Sequence, residues 1–71
     1  MDRYHVKFSG LDGNHLADLE LEGSGLDKVE SEVLNILSQE FILVYKDEMN
    51  SHFIAKKVIS KYEIHQLPPI V

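Results

Sequence analysis

Hydrophobic and polar residues alternate along two stretches of the chain, on either side of Asp12-Gly13, between Arg3 and Glu22. Strict alternation is typical of a strand with one buried face and one wet face. Asp-Gly favours a two-residue hairpin turn of type I′, in which both central residues have positive φ. The pattern therefore predicts an antiparallel β-hairpin folded about Asp12-Gly13.

The predicted turn decides which residues of the two strands lie opposite one another. On one face we expect three apolar pairs, namely Phe8 with Ala17, Val6 with Leu19, and Tyr4 with Leu21. On the other face we expect three pairs of a basic and an acidic residue, namely Lys7 with Asp18, His5 with Glu20, and Arg3 with Glu22. A slip of one residue would reverse the two faces, so the pairing supports the turn.

After Gly23-Ser24-Gly25 the apolar positions change to the spacing of a helix. They form one stripe, made of Leu26, Val29, Val33, Ile36 and Leu37. Asp27 followed by Glu30 has the spacing of a capping box, which predicts Asp27 as the N-cap. Since polar side chains occupy the other side, we expect the helix to pack its stripe on the sheet.

A continuous apolar run from Phe41 to Tyr45 follows the predicted helix. Because both parities are apolar, the run predicts a central strand that a bent sheet or a partner subunit covers on its second face. A polar turn over Lys46–Ser51 comes next, with Asn50 as the candidate for a left-handed conformation. The chain then returns as a strand that begins at His52.

In the last part of the chain the apolar residues change from odd to even positions. Phe53 and Ala55 are at odd positions, whereas Tyr62 and Ile64 are at even positions. A bulge or short turn over 57–60, with Ile59 pointing inward, would reconcile them. Whether 52–67 forms one bulged strand or two stays open. The overall prediction is a small single α+β domain over 1–71, with an antiparallel sheet of four to five strands (β-β-α-β-β, with or without a fifth short strand), one helix packed on it, and a short tail at 68–71.

The chain has 71 residues and no cysteine, so it has room for one small core and no disulfide. A well-packed core or a homodimer would have to supply the stability, and both alternatives stay open. The N-terminus carries no signal-peptide pattern, and the longest apolar run is too short to span a membrane. We therefore expect a cytoplasmic protein without membrane contact, with the composition of small bacterial or phage proteins.

Motifs for catalysis or for a cofactor are missing from the sequence. The four histidines lack metal-ligand spacing, and no serine lies in a nucleophile elbow. Gly23-Ser24-Gly25 precedes a helix, but Asp27 and Glu30 at its start would repel a phosphate. The sequence therefore predicts no enzyme, no cofactor and no metal site.

The formal net charge of −5 is concentrated in residues 1–40, which hold nine acidic and three basic residues. This balance disfavours non-specific binding to nucleic acid. It predicts a surface for a basic partner protein, made of Asp18, Glu20, Glu22 and Glu32. The same carboxylates could instead only keep the protein soluble, or imitate a nucleic-acid backbone and so inhibit a basic protein.

Two further surfaces follow from the second half of the sequence. Apolar residues proposed for self-association are Ile42, Val44, Ile54 and Ile70. Lysines interleaved with aromatics, as in small nucleic-acid-binding sheets, are Lys46, Lys56, Lys57 and Lys61 with Tyr45, Phe53 and Tyr62. The leading hypothesis is a non-enzymatic protein-interaction or regulatory module that binds another protein or itself, and the alternative is a small nucleic-acid-binding domain.

Overall fold

Five strands, one α-helix and one 3-10 turn make up the part of the chain that the computed structural model describes, residues 1–69. In chain order they are β1 (Asp2–Ser9), β2 (His15–Gly23), α1 (Leu26–Ile36), β3 (Phe41–Lys46), β4 (Ser51–Ala55), the 3-10 turn (Lys56–Val58) and β5 (Lys61–Gln66). The strands form a three-stranded sheet, β2-β1-β5, and a two-stranded sheet, β3-β4. The α+β class with one helix packed on antiparallel strands is confirmed, although the strands belong to two sheets.

The hairpin of β1 and β2 has the predicted register at all six predicted pairs, from Arg3 opposite Glu22 to Phe8 opposite Ala17. The predicted two-residue turn is wrong. Gly10 donates its N–H to the Asn14 carbonyl over 2.9 Å, and Gly13 donates to the Gly10 carbonyl over 3.0 Å. Gly13, with φ 82, is the only one of residues 1–69 in the left-handed region, so the connection is a three-residue loop with one left-handed residue.

A bulge in β2 reconciles this longer loop with the predicted register. Ser9 lies opposite His15, whereas Phe8 lies opposite Ala17, so that Leu16 is an extra residue in β2. The extra residue shifts the pairing by one position and returns the apolar residues of both strands to the same face. The register is therefore determined by the alternation along the strands rather than by the turn.

The central strand of the larger sheet is β1, because β5 pairs with its second edge from Tyr4 opposite Gln66 to Ser9 opposite Lys61. Its inward side chains meet two valines of α1 in the main core, whose buried members are Tyr4, Val6, Phe8, Val29 and Val33. The core therefore lies between α1 and one face of this sheet.

The helix begins at Leu26 with Gly25 as its N-cap, and no side chain makes a capping hydrogen bond there. The predicted capping box of Asp27 and Glu30 is therefore wrong. Asp27 lies inside the first turn, where its negative charge interacts favourably with the positive end of the helix dipole and stabilises the helix. The predicted apolar stripe is confirmed at its centre, because Val29 and Val33 are buried.

The prediction of a central strand covered on both faces is wrong for β3. Ile42 is 1% exposed, but Phe41 is 59% exposed and Leu43 is 40% exposed. The helix packs on the other sheet, and β3 pairs only with β4 among residues 1–69. One face of this hairpin is therefore wet.

The 3-10 turn at Lys56–Val58 confirms the predicted break after β4. Residues 52–67 therefore form two strands that belong to different sheets. Ile59 packs against the main core, as predicted. Ser60 holds the start of β5 against the end of β1, because its N–H donates to the Ser9 carbonyl over 2.9 Å and its hydroxyl donates to the Gly10 carbonyl over 2.7 Å.

Candidate interaction surface

Three large apolar side chains are exposed side by side on the hairpin of β3 and β4. Phe41, Leu43 and Phe53 are 59%, 40% and 57% exposed. Leu43 lies directly opposite Phe53, and Phe41 lies opposite the half-buried Ala55. Alternation along each strand places all four on the same side of the sheet. We call Phe41, Leu43, Phe53 and Ala55 the hairpin face.

Three of the residues predicted for self-association, Ile42, Val44 and Ile54, alternate along the strands with the residues of the hairpin face. Ile42 is buried opposite the half-buried Ile54, and Val44 is also half-buried. Ile70 lies outside the residues that the structure describes. The exposed apolar surface of this hairpin is therefore formed by the residues next to the predicted ones. The sequence does indicate that one apolar face stays exposed, because it predicts two hairpins and only one short helix to cover them.

Lysines lie at both ends of the hairpin face. Lys46 lies opposite Ser51 near the loop between the strands. Lys56 and Lys57 follow β4 at the other end, where they line a shallow cavity of about 450 Å³ together with Glu40, Phe41 and Ala55. Lysines therefore lie at both ends of this apolar surface, with Glu40 beside them at one end and with Asp47 and Glu48 following Lys46 at the other.

The loop between β3 and β4 is ordered by Asp47, and the predicted left-handed conformation of Asn50 is wrong. The Asp47 Oδ1 atom accepts the N–H groups of Met49 over 2.8 Å and Asn50 over 2.7 Å, and its Oδ2 atom accepts the Tyr45 hydroxyl over 2.6 Å. These bonds stabilise the carboxylate, so the Tyr45 hydroxyl and then the Met49 N–H lower the pKa of Asp47. The hydrogen bond from the Tyr45 hydroxyl to Asp47 also raises the pKa of Tyr45.

The four carboxylates predicted to bind a basic partner do not form one surface. Asp18, Glu20 and Glu22 lie on the polar face of the three-stranded sheet. Glu32 belongs to α1, which packs on the opposite, apolar face of that sheet. The predicted acidic surface is therefore split between two sides of the molecule.

Two of these carboxylates already have partners within the hairpin. Asp18 contacts His5 Nε2 over 2.9 Å and His15 Nε2 over 2.8 Å, and Glu20 contacts Arg3 Nη1 over 2.9 Å. His5 and Arg3 thus contact the acid diagonal to them rather than the one directly opposite. These contacts are typical of an exposed face of cross-strand charge pairs.

The residues predicted to bind nucleic acid are also divided. Lys46, Lys56 and Lys57 flank the hairpin face, together with the exposed Phe53. Lys61 lies 3.8 Å from Glu63 on β5, and Tyr62 packs against the main core. Phe41, which sequence reasoning did not select as an exposed aromatic residue, joins Phe53 instead.

Neither a metal site nor a membrane helix is found in residues 1–69. No group of three or more histidine, cysteine, aspartate or glutamate side chains in this range is arranged to hold a metal ion. No helix within the same range is long and apolar enough to cross a membrane.

No protein-family model, curated protein or solved structure matches this chain. Exposed apolar side chains cluster on the hairpin face, and Leu11, Leu16 and Val58 form a second exposed group beside the loop of the first hairpin.

Proposed function

We propose that this chain is a non-enzymatic interaction module that binds a segment of a partner protein on the hairpin face. The exposure of Phe41, Leu43 and Phe53 next to one another is the observation that carries the proposal. These exposed fractions amount to about 300 Å² of apolar surface, at about 200 Å² for each aromatic side chain. A cluster of this size reaches the lower end of the range for the largest apolar patch on a typical monomeric protein, and such patches are often functional.

The charges around the hairpin face indicate the chemistry of the partner segment. Lys46 lies at one end of the apolar stripe, and Lys56 and Lys57 lie at the other. Opposite charges across an interface increase the rate of association and exclude wrong partners. The proposed partner segment is therefore apolar at its centre and acidic on both sides.

The test uses a synthetic peptide with alternating apolar residues at its centre and two glutamates at each end. The peptide is titrated into the protein, and amide chemical shifts are followed by NMR. We expect saturable shifts at Phe41, Leu43 and Phe53, and an affinity about tenfold lower for Phe53→Ser. Leu34→Ser is the matched control, because Leu34 is 59% exposed on α1, outside the hairpin face.

Three outcomes would contradict the proposal. The peptide could cause no shift on the hairpin at millimolar concentration, or Leu34→Ser could weaken binding as much as Phe53→Ser. A peptide with lysines in place of the glutamates could also bind equally well, which would remove the role given to Lys46, Lys56 and Lys57.

A second candidate function is the binding of single-stranded nucleic acid on the same face. Its supporting observation is that two exposed aromatic rings, Phe41 and Phe53, lie between Lys46 and the pair Lys56 and Lys57. Aromatic rings and lysines together form stacking platforms for bases. The net charge of −5 opposes this function.

A salt titration separates this candidate from the first. If the protein binds a single-stranded oligothymidine, the affinity should fall steeply as salt increases, since each phosphate contact releases counterions. Binding that Phe53→Ser abolishes would support the nucleic-acid candidate. Lack of binding at low salt would eliminate it.

A further inference from the structure

The outer edge of β4 is unpaired in residues 1–69, where β4 forms a ladder with β3 alone. The Lys56 N–H donates to the Glu40 carbonyl over 2.8 Å, so these two residues form a hydrogen-bonded pair. Hydrogen-bonded and non-hydrogen-bonded pairs alternate along an antiparallel ladder. Phe53 and Ala55 are consequently in the non-hydrogen-bonded pairs, so their backbone N–H and C=O groups point away from β3. The bond from the Asp47 N–H to the Asn50 carbonyl, 2.9 Å, places the backbone groups of Ser51 on the same free edge.

The strands at the edges of the other sheet carry features that prevent pairing with another chain. β2 has three carboxylates, Asp18, Glu20 and Glu22, and a bulge. β5 has the charged residues Lys61 and Glu63. Charged side chains and bulges are the usual protection of edge strands.

β4 lacks such protection, because Ser51–Ala55 contains no aspartate, glutamate, lysine, arginine or proline. The register irregularity of this hairpin lies in β3, at Val44, so that β4 itself is regular. A two-stranded sheet is also marginal in water and gains stability from further strands. The free edge of β4 is therefore suited to accept another strand.

We propose that β4 pairs antiparallel with β4 of a second copy of this chain, about a two-fold axis at Phe53. Phe53 then lies opposite its own counterpart, and Ser51 lies opposite Ala55 of the second copy. All three residues direct their backbone groups to the free edge, so the pairing makes about six hydrogen bonds. The product is a four-stranded sheet with the strand order β3-β4-β4-β3.

Charge complementarity identifies a second copy as the occupant of this edge. In the antiparallel arrangement, Lys56 and Lys57 of each copy come beside the loop of the other copy, in which the two acids Asp47 and Glu48 outnumber Lys46. The two-fold axis repeats this contact, which gives two regions of opposite charge at the ends of the paired strands. A strand of the same sequence thus matches both the hydrogen bonds and the charges of the free edge.

The two hairpin faces also become continuous, because Phe53 of each copy lies at the new junction. In this respect the inference rests on the proposed function, since it doubles the surface proposed to bind a partner segment. The pairing itself depends on the free edge of β4 and on the charges at its ends, and not on the hairpin face.

Ala55→Pro tests the pairing directly. Ala55 has φ −75 and ψ 131, which a proline adopts without strain. Its N–H points away from β3, so the proline removes a donor from the free edge and leaves the bonds within the chain intact. Ala55→Ser is the matched control, because it changes the side chain and keeps the N–H.

The measurement is sedimentation equilibrium over a series of concentrations, with circular dichroism to show that each variant is folded. We expect dimers for the unchanged protein and for Ala55→Ser, and a self-association at least about thirtyfold weaker for Ala55→Pro, because two symmetric hydrogen bonds are lost. Dimerisation of Ala55→Pro with unchanged affinity would overturn the proposal. An unchanged protein that stays monomeric up to millimolar concentration would overturn it as well.

A pair of charge reversals tests the register. Lys57→Glu and Glu48→Lys should each weaken self-association, since each places like charges together at both ends of the dimer. Mixing the two variants should restore dimerisation as a heterodimer. If the mixture associates no better than either variant alone, the two-fold register at Phe53 is wrong.

The proposed function is tested separately with the unchanged protein diluted until it is monomeric, because Ala55 itself belongs to the hairpin face. If a labelled acidic-flanked peptide binds this monomer, the hairpin face is a binding surface whether or not β4 pairs. If the unchanged protein dimerises and neither form binds the peptide, the dimer proposal stands and the proposed function fails.

Discussion

A single missing methyl group, at Gly23, allows the helix to pack against the end of β2. Gly23 is buried, and a Cβ atom placed on it would lie 2.7 Å from Val29 Cγ2. Val29 is itself buried, and its branched side chain has one strongly preferred rotamer in a helix. Gly23→Ala should therefore lower the free energy of unfolding by about 1–3 kcal/mol, measured by urea denaturation.

Gly25→Ala is the control for this substitution. Gly25 has an extended backbone, with φ 163, and no atom lies within 4 Å of the Cβ position. Its stability should stay within about 0.5 kcal/mol of the unchanged protein. Equal losses for the two substitutions would show that the contact with Val29 is not the cause.

The hydrogen bond between Tyr45 and Asp47 makes a prediction about pH. Because the pKa of Asp47 is lowered from 3.8, the ionised carboxylate stabilises the fold above that value, and its contribution is lost as the pH falls through the lowered pKa. Tyr45→Phe removes the first cause of the shift, so the pKa of Asp47 should rise toward 3.8. The measurement is an NMR titration of the Asp47 carboxyl group in both proteins.

The raised pKa of Tyr45 has the opposite consequence for stability. The hydroxyl donates to Asp47 only while it is protonated, so its contribution is complete below 10.0 and is lost as the pH rises through the raised pKa. If the Asp47 pKa is the same in Tyr45→Phe, the hydroxyl does not donate to this carboxylate in solution.

The helix contributes to stability through a narrow part of its surface. Val33 is buried against β1, whereas Leu34, the next residue, is 59% exposed. Val33→Ala should lower the free energy of unfolding by about 2 kcal/mol through lost burial and the cavity left behind. Leu34→Ala should change it by less than about 0.5 kcal/mol. Both values come from urea denaturation, and a larger loss for Leu34→Ala would contradict the packing of α1.

The first hairpin shows which properties of an element can be predicted from sequence. Its register was predicted correctly because alternation over both strands allows only one pairing of the apolar residues. The loop was not, because a three-residue loop followed by an extra residue at Leu16 leads to the same pairing. Likewise the helix was predicted from the spacing of Val29 and Val33, whereas its N-cap has no side-chain signal.

At the scale of the whole molecule, the sequence predicts the class of fold but not the division into two sheets. The pairing of β5 with β1 depends on contacts between residues far apart in the chain, and nothing local in 61–66 specifies it. The run from Phe41 to Tyr45 was assigned a central position because both parities are apolar. In the structure Phe41 and Leu43 are exposed, whereas Ile42 is buried. Apolar side chains exposed against the expected hydrophobic pattern are typical of a functional surface.

The two sheets should also differ in how readily they open. The hairpin of β3 and β4 has one fully buried side chain, Ile42, whereas β1 contributes Tyr4, Val6 and Phe8 to the main core. We expect the Ile54 amide to exchange with solvent at least about tenfold faster than the Val6 amide, because few apolar contacts oppose opening of the hairpin. Hydrogen exchange followed by NMR in dilute Ala55→Pro measures both amides without self-association.

The outcome of this exchange experiment has a direct structural meaning. Faster exchange at Ile54 would identify the hairpin as a unit that opens without unfolding of the larger sheet. Equal exchange rates at Ile54 and Val6 would instead show that both sheets unfold as one cooperative unit, which would contradict the prediction.

The pairing of β5 with β1 has a consequence for the order in which the chain can fold during synthesis. β1 is made early, but the strand that covers its second edge, Lys61–Gln66, is made more than fifty residues later. At about 5–20 residues per second, a ribosome needs several seconds to bridge that interval. During this time the first hairpin has an open edge and an apolar face, so the nascent chain is most prone to misassembly before its last strand emerges.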